Sequence, residues 1–332
     1  LIDTLENIKK IDGPQFLHVA TKKGFGYAPA QDDPNKFHGV GKFNPEDGLS
    51  KDSDKSLTYT QVFSLWLMDA AKKNMHLCAI TPAMSDGSGL NAFAKKYPSR
   101  YYDVGIAEQH ALTFAAGLAL SGNKPVVAIY STFMQRAYDQ LIHDIAIQNI
   151  PMLFAIDRAG LVGADGATHS GNFDISFMRC IPNLILMAPS NESECFHMLS
   201  FGYKYNGVCA VRYPRGNSPG SSIELLNDPI RIGCANKVRT GKKVAILAFG
   251  PIIEVCREVA EEINASLIDM RFIKPIDKKM IRQVCKDHEL IVSVEENAIT
   301  GGAGSSVLEV ISESNLLTKT LVLGIPDQFF EH

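Results

Sequence analysis

Short apolar runs alternate with stretches of helical spacing over most of the chain. Residues 59–73 place Val62, Leu65 and Trp66 at helical intervals, and 77–80 is an apolar run of strand length. An apolar, Ala- and Gly-rich segment at 106–120 predicts a helix, and 126–130 predicts a strand. Phe133, Ala137, Leu141 and Ile145 recur every four residues, the spacing of an amphipathic helix. Further strands are predicted at 152–156, 184–188 and 208–212, with Ser190 as the N-cap of a helix that opens with Glu192 and Glu194. The pattern restarts with strands at 244–249, 266–270, 290–295 and 321–325. Helices fall between them at 252–264, 278–286 and after Gly301-Gly302-Ala303-Gly304.

Strands of this kind, alternating with helices, define an α/β chain of mostly parallel sheets with helices on both faces. The first 50 residues differ. Phe16-Leu17-His18-Val19 predicts one strand, a Pro- and Asn-rich loop follows, and 44–56 reads as a linker. The chain therefore divides into 1–50, a tail and linker; 51–235, an α/β domain; and 236–332, a smaller α/β domain cut short at its end.

A length of 332 residues suits two such domains and a remnant, and 45% hydrophobic residues are enough for cores at that size. The net charge of −3 gives no nucleic-acid footprint. Seven cysteines without a C-x-x-C suggest neither a disulfide framework nor a zinc site. No apolar run approaches a membrane span, and no signal peptide opens the chain. Leu1 falls inside a helical pattern (Leu1, Leu5, Ile8), so the natural polypeptide is expected to begin earlier and the chain is read as a fragment.

Chemistry collects at successive strand-to-helix corners. The first carries Asp103-Val104-Gly105-Ile106-Ala107-Glu108-Gln109-His110, with Glu108 in the first helical turn. A lone Glu there would do no more than complement the helix dipole. The next corner adds Tyr130, Phe133 and Arg136, and the one after it runs from Asp157-Arg158-Ala159-Gly160 to Asp165 and His169-Ser170-Gly171. Open parallel sheets bind ligands beyond the carboxyl ends of their strands. Three such ends offering carboxylates, aromatics, guanidinium and imidazole make a site. The glycines of the second domain lack the G-x-G-x-x-G order of a dinucleotide fingerprint.

These residues carry a resemblance. Ile106-Ala107-Glu108-Gln109-His110, the run Tyr130 to Gln140, the loop Asp157 to Gly171, and Val211-Arg212-Tyr213-Pro214-Arg215-Gly216 are similar to the central domain of the 1-deoxy-D-xylulose-5-phosphate synthases, transketolase-like thiamine-diphosphate enzymes. Pro14 to Phe43 resembles the end of that family's first, diphosphate-binding domain. Asp269-Met270-Arg271-Phe272 and Glu295-Glu296-Asn297-Ala298 resemble its third. The central domain would then be the pyrimidine-binding one. The resemblance implies decarboxylation of pyruvate and condensation with D-glyceraldehyde 3-phosphate, giving 1-deoxy-D-xylulose 5-phosphate and CO2 for isoprenoid, thiamine and pyridoxal precursors.

The same resemblance implies roles. Glu108 would hydrogen-bond the pyrimidine nitrogen of thiamine diphosphate, Phe133 would stack on that ring, and Lys23 would reach the diphosphate. Arg158 and Arg212, helped by Tyr130, would take the acceptor's phosphate, since guanidinium suits its geometry. His169, beside Asp165, would handle protons or the pyruvate carboxylate, and His38 matches a family active-site histidine. Arg136 is read as structural at a subunit contact, and His110 as packing or interface.

The superfamily holds Mg²⁺ with a Gly-Asp-Gly motif and a later Asn. Ser85-Asp86-Gly87-Ser88-Gly89 lacks the leading Gly and reads as a loop, so no metal ligand is assigned and Mg²⁺ is expected on a preceding portion. A homodimer in the bacterial cytoplasm, or the plastid stroma, is what the family implies. The rivals are the β subunit of a 2-ketoacid dehydrogenase and a non-catalytic subunit that keeps only the fold. The Gln109-His110 pair and the intact set Glu108, Arg158, His169 and Arg212 argue against both.

Overall fold

The computed structural model describes residues 1–34, 37, 40, 43–46, 48, 56–226 and 228–331. It falls into two compact units, 1–54 and 55–332. His38 and most of the expected linker lie outside the described residues.

In the first unit, helices cover Ile2–Ile8 and Ala28–Asp32. The strand expected at 16–19 is absent: Phe16 is 92% exposed, and those residues have no pairing partner. An isolated run of β-formers gains nothing from extension without a neighbouring ladder. Lys23 sits exposed in a turn with Gly24 and Gly26, both at positive φ. Tyr27, Phe37 and Phe43 pack together with ring centroids 5.5–5.9 Å apart, Phe37 edge-on to both of the others.

The second unit holds twelve strands among its described residues: β1 Leu77–Thr81, β2 Tyr101–Asp103, β3 Lys124–Tyr130, β4 Met152–Asp157, β5 Leu184–Met187, β6 Val208–Arg212, β7 Asn236–Arg239, β8 Val244–Phe249, β9 Ser266–Asp269, β10 Phe272–Lys274, β11 Leu290–Ala298 and β12 Lys319–Ile325. They form a seven-stranded sheet, β10-β5-β6-β4-β3-β1-β2, and a five-stranded one, β12-β11-β8-β9-β7. All pairs are parallel except the edge strands β10 and β7. Along β3 and β4, Val127, Ile129, Phe154 and Ile156 join one apolar cluster, while Val126, Ala128, Leu153 and Ala155 join another. The two-residue period thus feeds cores on both faces, as a parallel sheet requires.

The structure departs from the sequence pattern in four instructive places. β10 comes from the second half of the sequence yet pairs antiparallel with β5 of the first sheet, Phe272 opposite Met187. The helix expected from 106 begins at Glu108, because Gly105 has φ +69 and Ala107 is not helical. The segment with four-residue apolar spacing is not one helix. It passes through Ser131–Met134, a tight turn at Gln135–Ala137, Tyr138–Gln140 and a wide π turn at Leu141–Ala146. Such irregular turns keep Met134, Ala137, Leu141 and Ile145 buried while the backbone bends near the site. The cap of helix Glu192–Lys204 is Asn191, whose side chain accepts from the Glu194 amide at 2.9 Å. Ser190 instead offers its carbonyl to the buried Tyr59 hydroxyl at 3.3 Å.

Helix Tyr59–Lys73 opens with a capping box between Thr58 and Gln61 and buries Val62, Phe63, Trp66, Leu67, Ala70 and Ala71. Its Thr60 hydroxyl donates to Asp157 Oδ2 at the end of β4, at 3.1 Å.

Candidate active site

Parallel register sets the first contacts. Tyr130 stands opposite Asp157 across β3 and β4, and Ile156 stands opposite Arg212 across β4 and β6. The last residues of three adjacent strands therefore open on one edge, where the corner loops meet.

Glu108 is the first residue of its helix and is buried. The positive end of the helix faces its carboxylate. Arg136 donates to Glu108 Oε1 at 2.6 Å, although Arg136 itself is 53% exposed. Glu108 Oε2 makes no hydrogen bond among the described residues. Arg136, expected at a subunit contact, is thus a partner of the site's central carboxylate. Its guanidinium also lies 5.6 Å from the centroid of the Phe133 ring. Phe133 stacks on Tyr130 at 5.5 Å with the rings 8° from parallel, and His169 meets Phe133 edge-on at 5.6 Å. One continuous wall results, from Glu108 through Arg136 and Phe133 to Tyr130 on one side and His169 on the other.

The Tyr130 end of this wall is cationic. The Arg158 guanidinium lies 4.4 Å from the Tyr130 ring centroid. Arg158 Nη1 donates to Gly87 O at 2.7 Å, to Asp157 Oδ2 at 2.8 Å and to Thr60 Oγ1 at 3.2 Å. Asp157 is wholly buried, which pushes its carboxyl above the usual range, while Arg158 pulls it back. Burial pushes the Tyr130 phenol up to about 12, with Arg158 and Arg215 opposing and Asp157 and Asp165 adding to the rise. Charges of both signs therefore act on this hydroxyl, with Arg158 the one placed over its ring. Gly87 is needed here: a Cβ at that position would stand 2.0 Å from Tyr130 Oη. The loop 85–89, read as a mere connection, is a wall of the site.

The two arginines of the Arg212-Tyr213-Pro214-Arg215 run, the first of which was expected to take the acceptor's phosphate, have different surroundings. Arg212 is 3% exposed, and Asp174 takes its Nε at 2.7 Å and Nη2 at 3.1 Å. Its Nη2 also reaches the Glu296 carbonyl at 3.0 Å. Arg212 is thus held as a brace between the two sheets. Arg215, which carried no assigned role, is 38% exposed and pairs with Asp165 at 2.8 Å.

His169 is half-buried; its Nδ1 meets Thr168 Oγ1 at 2.9 Å, which leaves Nε2 without a hydrogen bond among the described residues. Its loop is tied down by reciprocal bonds between Gly160 and Gly171, both 2.8 Å. Two buried polar atoms beside it, Ser131 Oγ and Asn172 Oδ1, have no protein partner. His110 is exposed and stacks on Phe114 at 5.7 Å. Among the described residues, no group of three His, Cys, Asp or Glu side chains is placed to hold a metal ion.

A buried carboxylate at a helix start and an aromatic wall, set at the carboxyl ends of parallel strands, mark this edge of the first sheet as a ligand-binding site of an α/β protein. The family description "Transketolase, pyrimidine binding domain" matches residues 55–221, and "Transketolase, C-terminal domain" matches 233–332. The chain belongs to the transketolase family through these two domains. It is 59% identical over 332 residues to the 1-deoxy-D-xylulose-5-phosphate synthase of Methylobacillus flagellatus, covering all of this chain and 54% of that protein. The synthase of the same name from Nitrosomonas europaea is 54% identical over 331 residues, again with 54% of its length covered. The chain thus spans about half the length of the curated relatives it matches. Among solved structures, a split-gene transketolase described as an inactive β4 tetramer aligns at TM-score 0.72 and 26% identity, over 82% of this chain and 90% of that one. A transketolase from Campylobacter jejuni aligns at TM-score 0.70 and 17% identity, over 86% of this chain and 45% of that one, a likeness of fold.

Proposed function

We propose that this chain forms the pyrimidine and acceptor side of a thiamine-diphosphate enzyme. It would join pyruvate, with loss of CO2, to D-glyceraldehyde 3-phosphate and give 1-deoxy-D-xylulose 5-phosphate. The observation that carries the reading is the single wall that runs from Glu108 to the Tyr130–Arg158–Arg215 corner. It sets a carboxylate suited to the cofactor and a cationic corner on either side of Phe133 and His169. The relatives' name supports the same reaction.

The residues present fit the pyrimidine half of the cofactor. Glu108 Oε2 is an unused acceptor, the Phe133 face is half-exposed, and Ser131 Oγ and Asn172 Oδ1 are buried polar atoms lacking partners. When bound, thiamine diphosphate would supply the nucleophilic carbon and the sink for the electrons released with CO2. The chain's own residues do the rest. Glu108 would accept a hydrogen bond from the pyrimidine ring, a charge-assisted contact of about 1.5–3 kcal/mol. Arg136 holds Glu108 in place from its other oxygen. Phe133 would lie against the ring, and His169, with Nε2 free, would hold or deliver a proton near the reacting carbons.

For the acceptor, Arg158 and Arg215 are the guanidinium groups we assign to the phosphate, together with the Tyr130 hydroxyl. Arg212 is assigned to bracing instead. Asp165 would release Arg215, or share it, when an anion arrives. The Mg²⁺ ligands would lie on a preceding portion of the polypeptide, Lys23 would reach the diphosphate, and His38 would serve as a further active-site histidine. Assembly as a homodimer and a cytoplasmic site of action complete the proposal.

The test uses the full-length polypeptide that contains this chain, with thiamine diphosphate, Mg²⁺, pyruvate and D-glyceraldehyde 3-phosphate. Mass spectrometry should find a five-carbon deoxyketose phosphate and stoichiometric CO2. Turnover of pyruvate without that sugar would favour the ketoacid dehydrogenase reading, and silence would favour the non-catalytic one.

A further inference from the structure

Strand β11 carries two adjacent glutamates that the proposed chemistry does not use. Successive side chains on a strand point to opposite faces. Glu295 turns toward helix Ala303–Glu313, where it accepts from the amides of Ala303 at 2.7 Å and Gly304 at 2.8 Å. Glu296 turns the other way, toward the site loops of the first sheet. Its backbone carbonyl is fixed there by Arg212 Nη2 at 3.0 Å.

The side chain of Glu296 lies on the turn that presents Arg158. A Cβ added to Gly160 would stand 2.9 Å from Glu296 Cβ and 3.3 Å from its Oε1. Gly160 also has φ +82, so two separate reasons exclude a side chain there. Arg158 itself sits at φ +58, a conformation that costs free energy unless its surroundings impose it. Three contacts do so: Gly160 with Gly171, the Ala159 amide with the Tyr213 carbonyl at 3.0 Å, and Glu296 packed on Gly160. The first two come from the pyrimidine-binding domain. Glu296 comes from the C-terminal domain and makes no side-chain hydrogen bond among the described residues. A half-buried carboxyl without a protein donor carries some cost in lost hydration. Its shape against the turn is the return for that cost.

We propose that Glu296 is a positioning residue: the C-terminal domain uses it to fix the Arg158-Ala159-Gly160 turn, and so sets affinity for the phosphate-bearing acceptor. The inference rests on the functional reading above and extends it to the C-terminal domain. Other charged groups around Glu296 are already committed: Arg212 to Asp174, Glu295 to the helix amides, and Arg158 to Asp157.

The experiment compares wild type, Glu296→Ala and Glu296→Gln in the full-length enzyme. Glu296→Ala should raise KM for D-glyceraldehyde 3-phosphate about tenfold, with KM for pyruvate within about twofold of wild type. Glu296→Gln keeps the shape over Gly160 and should restore most of the acceptor affinity. An alanine variant whose acceptor KM is unchanged, or whose two KM values rise together, overturns the proposal. So does a glutamine variant as impaired as alanine. Calorimetry with inorganic phosphate gives a second readout that needs no turnover. If wild type makes no product, the functional reading fails. Weaker phosphate binding in Glu296→Ala would still uphold the positioning role, and equal binding would remove it.

Discussion

Replacing Arg212 and Arg215 in turn separates a brace from a ligand. Arg212→Met leaves the Asp174 carboxylate, 0% exposed, without its partner. Breaking one side of a buried pair costs about 3–5 kcal/mol, because a charge is stranded in low dielectric. At roughly 2–4 °C per kcal/mol for a body of this size, the melting temperature should fall by about 6–20 °C. Adding Asp174→Asn in the same chain should recover part of the loss, since the stranded charge is gone. Arg215→Met breaks a pair whose partners are 38% and 29% exposed. That costs only about 0–1 kcal/mol. Its effect should fall on acceptor binding, where loss of a charged hydrogen bond to phosphate raises KM by about tenfold or more. Thermal unfolding by circular dichroism and steady-state kinetics on the full-length protein read both quantities. An Arg212→Met protein that melts like wild type but loses acceptor affinity would refute the division drawn here and restore Arg212 as the phosphate ligand.

Two further outcomes follow from the same geometry. Gly87→Ala puts a methyl group 2.0 Å from Tyr130 Oη, so the phenol must move; acceptor KM should rise by about tenfold with little change in melting temperature, and unchanged kinetics would mean that Tyr130 does not set the acceptor corner. Glu194 is pushed up to about 7 by burial and then by the Asp269 charge, with Arg271 opposing. A carboxyl raised in the folded state adds stability that is full below its unfolded pKa, near 4.5, and lost as pH rises through about 7. Urea unfolding across that window should show this decline in wild type and a flatter profile in Glu194→Gln; identical profiles would refute it.

Much of the fold was legible because burial writes itself into sequence period. Strands β1, β3, β4, β6, β8 and β11 are near-continuous apolar runs or strict alternations, and the helix at 59–73 shows both its cap and its stripe. What escaped was short or set by distant partners. β2, β7 and β10 are three or four residues long and are strands only because a neighbour offers a ladder. The run at 16–19 has the composition of a strand and no such neighbour. The π turn at 141–146 keeps the same four-residue apolar spacing as an α-helix, so periodicity could not reveal it. Glu108, Phe133, Tyr130, Arg158 and His169 could be singled out as candidates because they fall at strand ends, and the structure brings their side chains into one row. Arg212 and Arg215 could not be told apart by position in the chain. Only the burial of Asp174 beside one and the exposure of the other separates them. Gly87 left a faint signal, a small residue in a loop at a strand end, whose meaning needs the Tyr130 ring in place.

The claim on which everything else depends is that Glu108 serves the cofactor's pyrimidine. The most direct measurement is the rate at which the C2 proton of thiamine diphosphate exchanges with deuterium on the full-length protein, in wild type and Glu108→Gln, by quenched-flow proton NMR. Arg136 is half-exposed, so the substitution should leave the fold intact. Exchange should slow by about a hundredfold or more in the variant, the loss expected when a positioned acid–base partner is removed. Equal exchange in the two proteins, both with cofactor bound, would contradict the role of Glu108 and with it the account of this site.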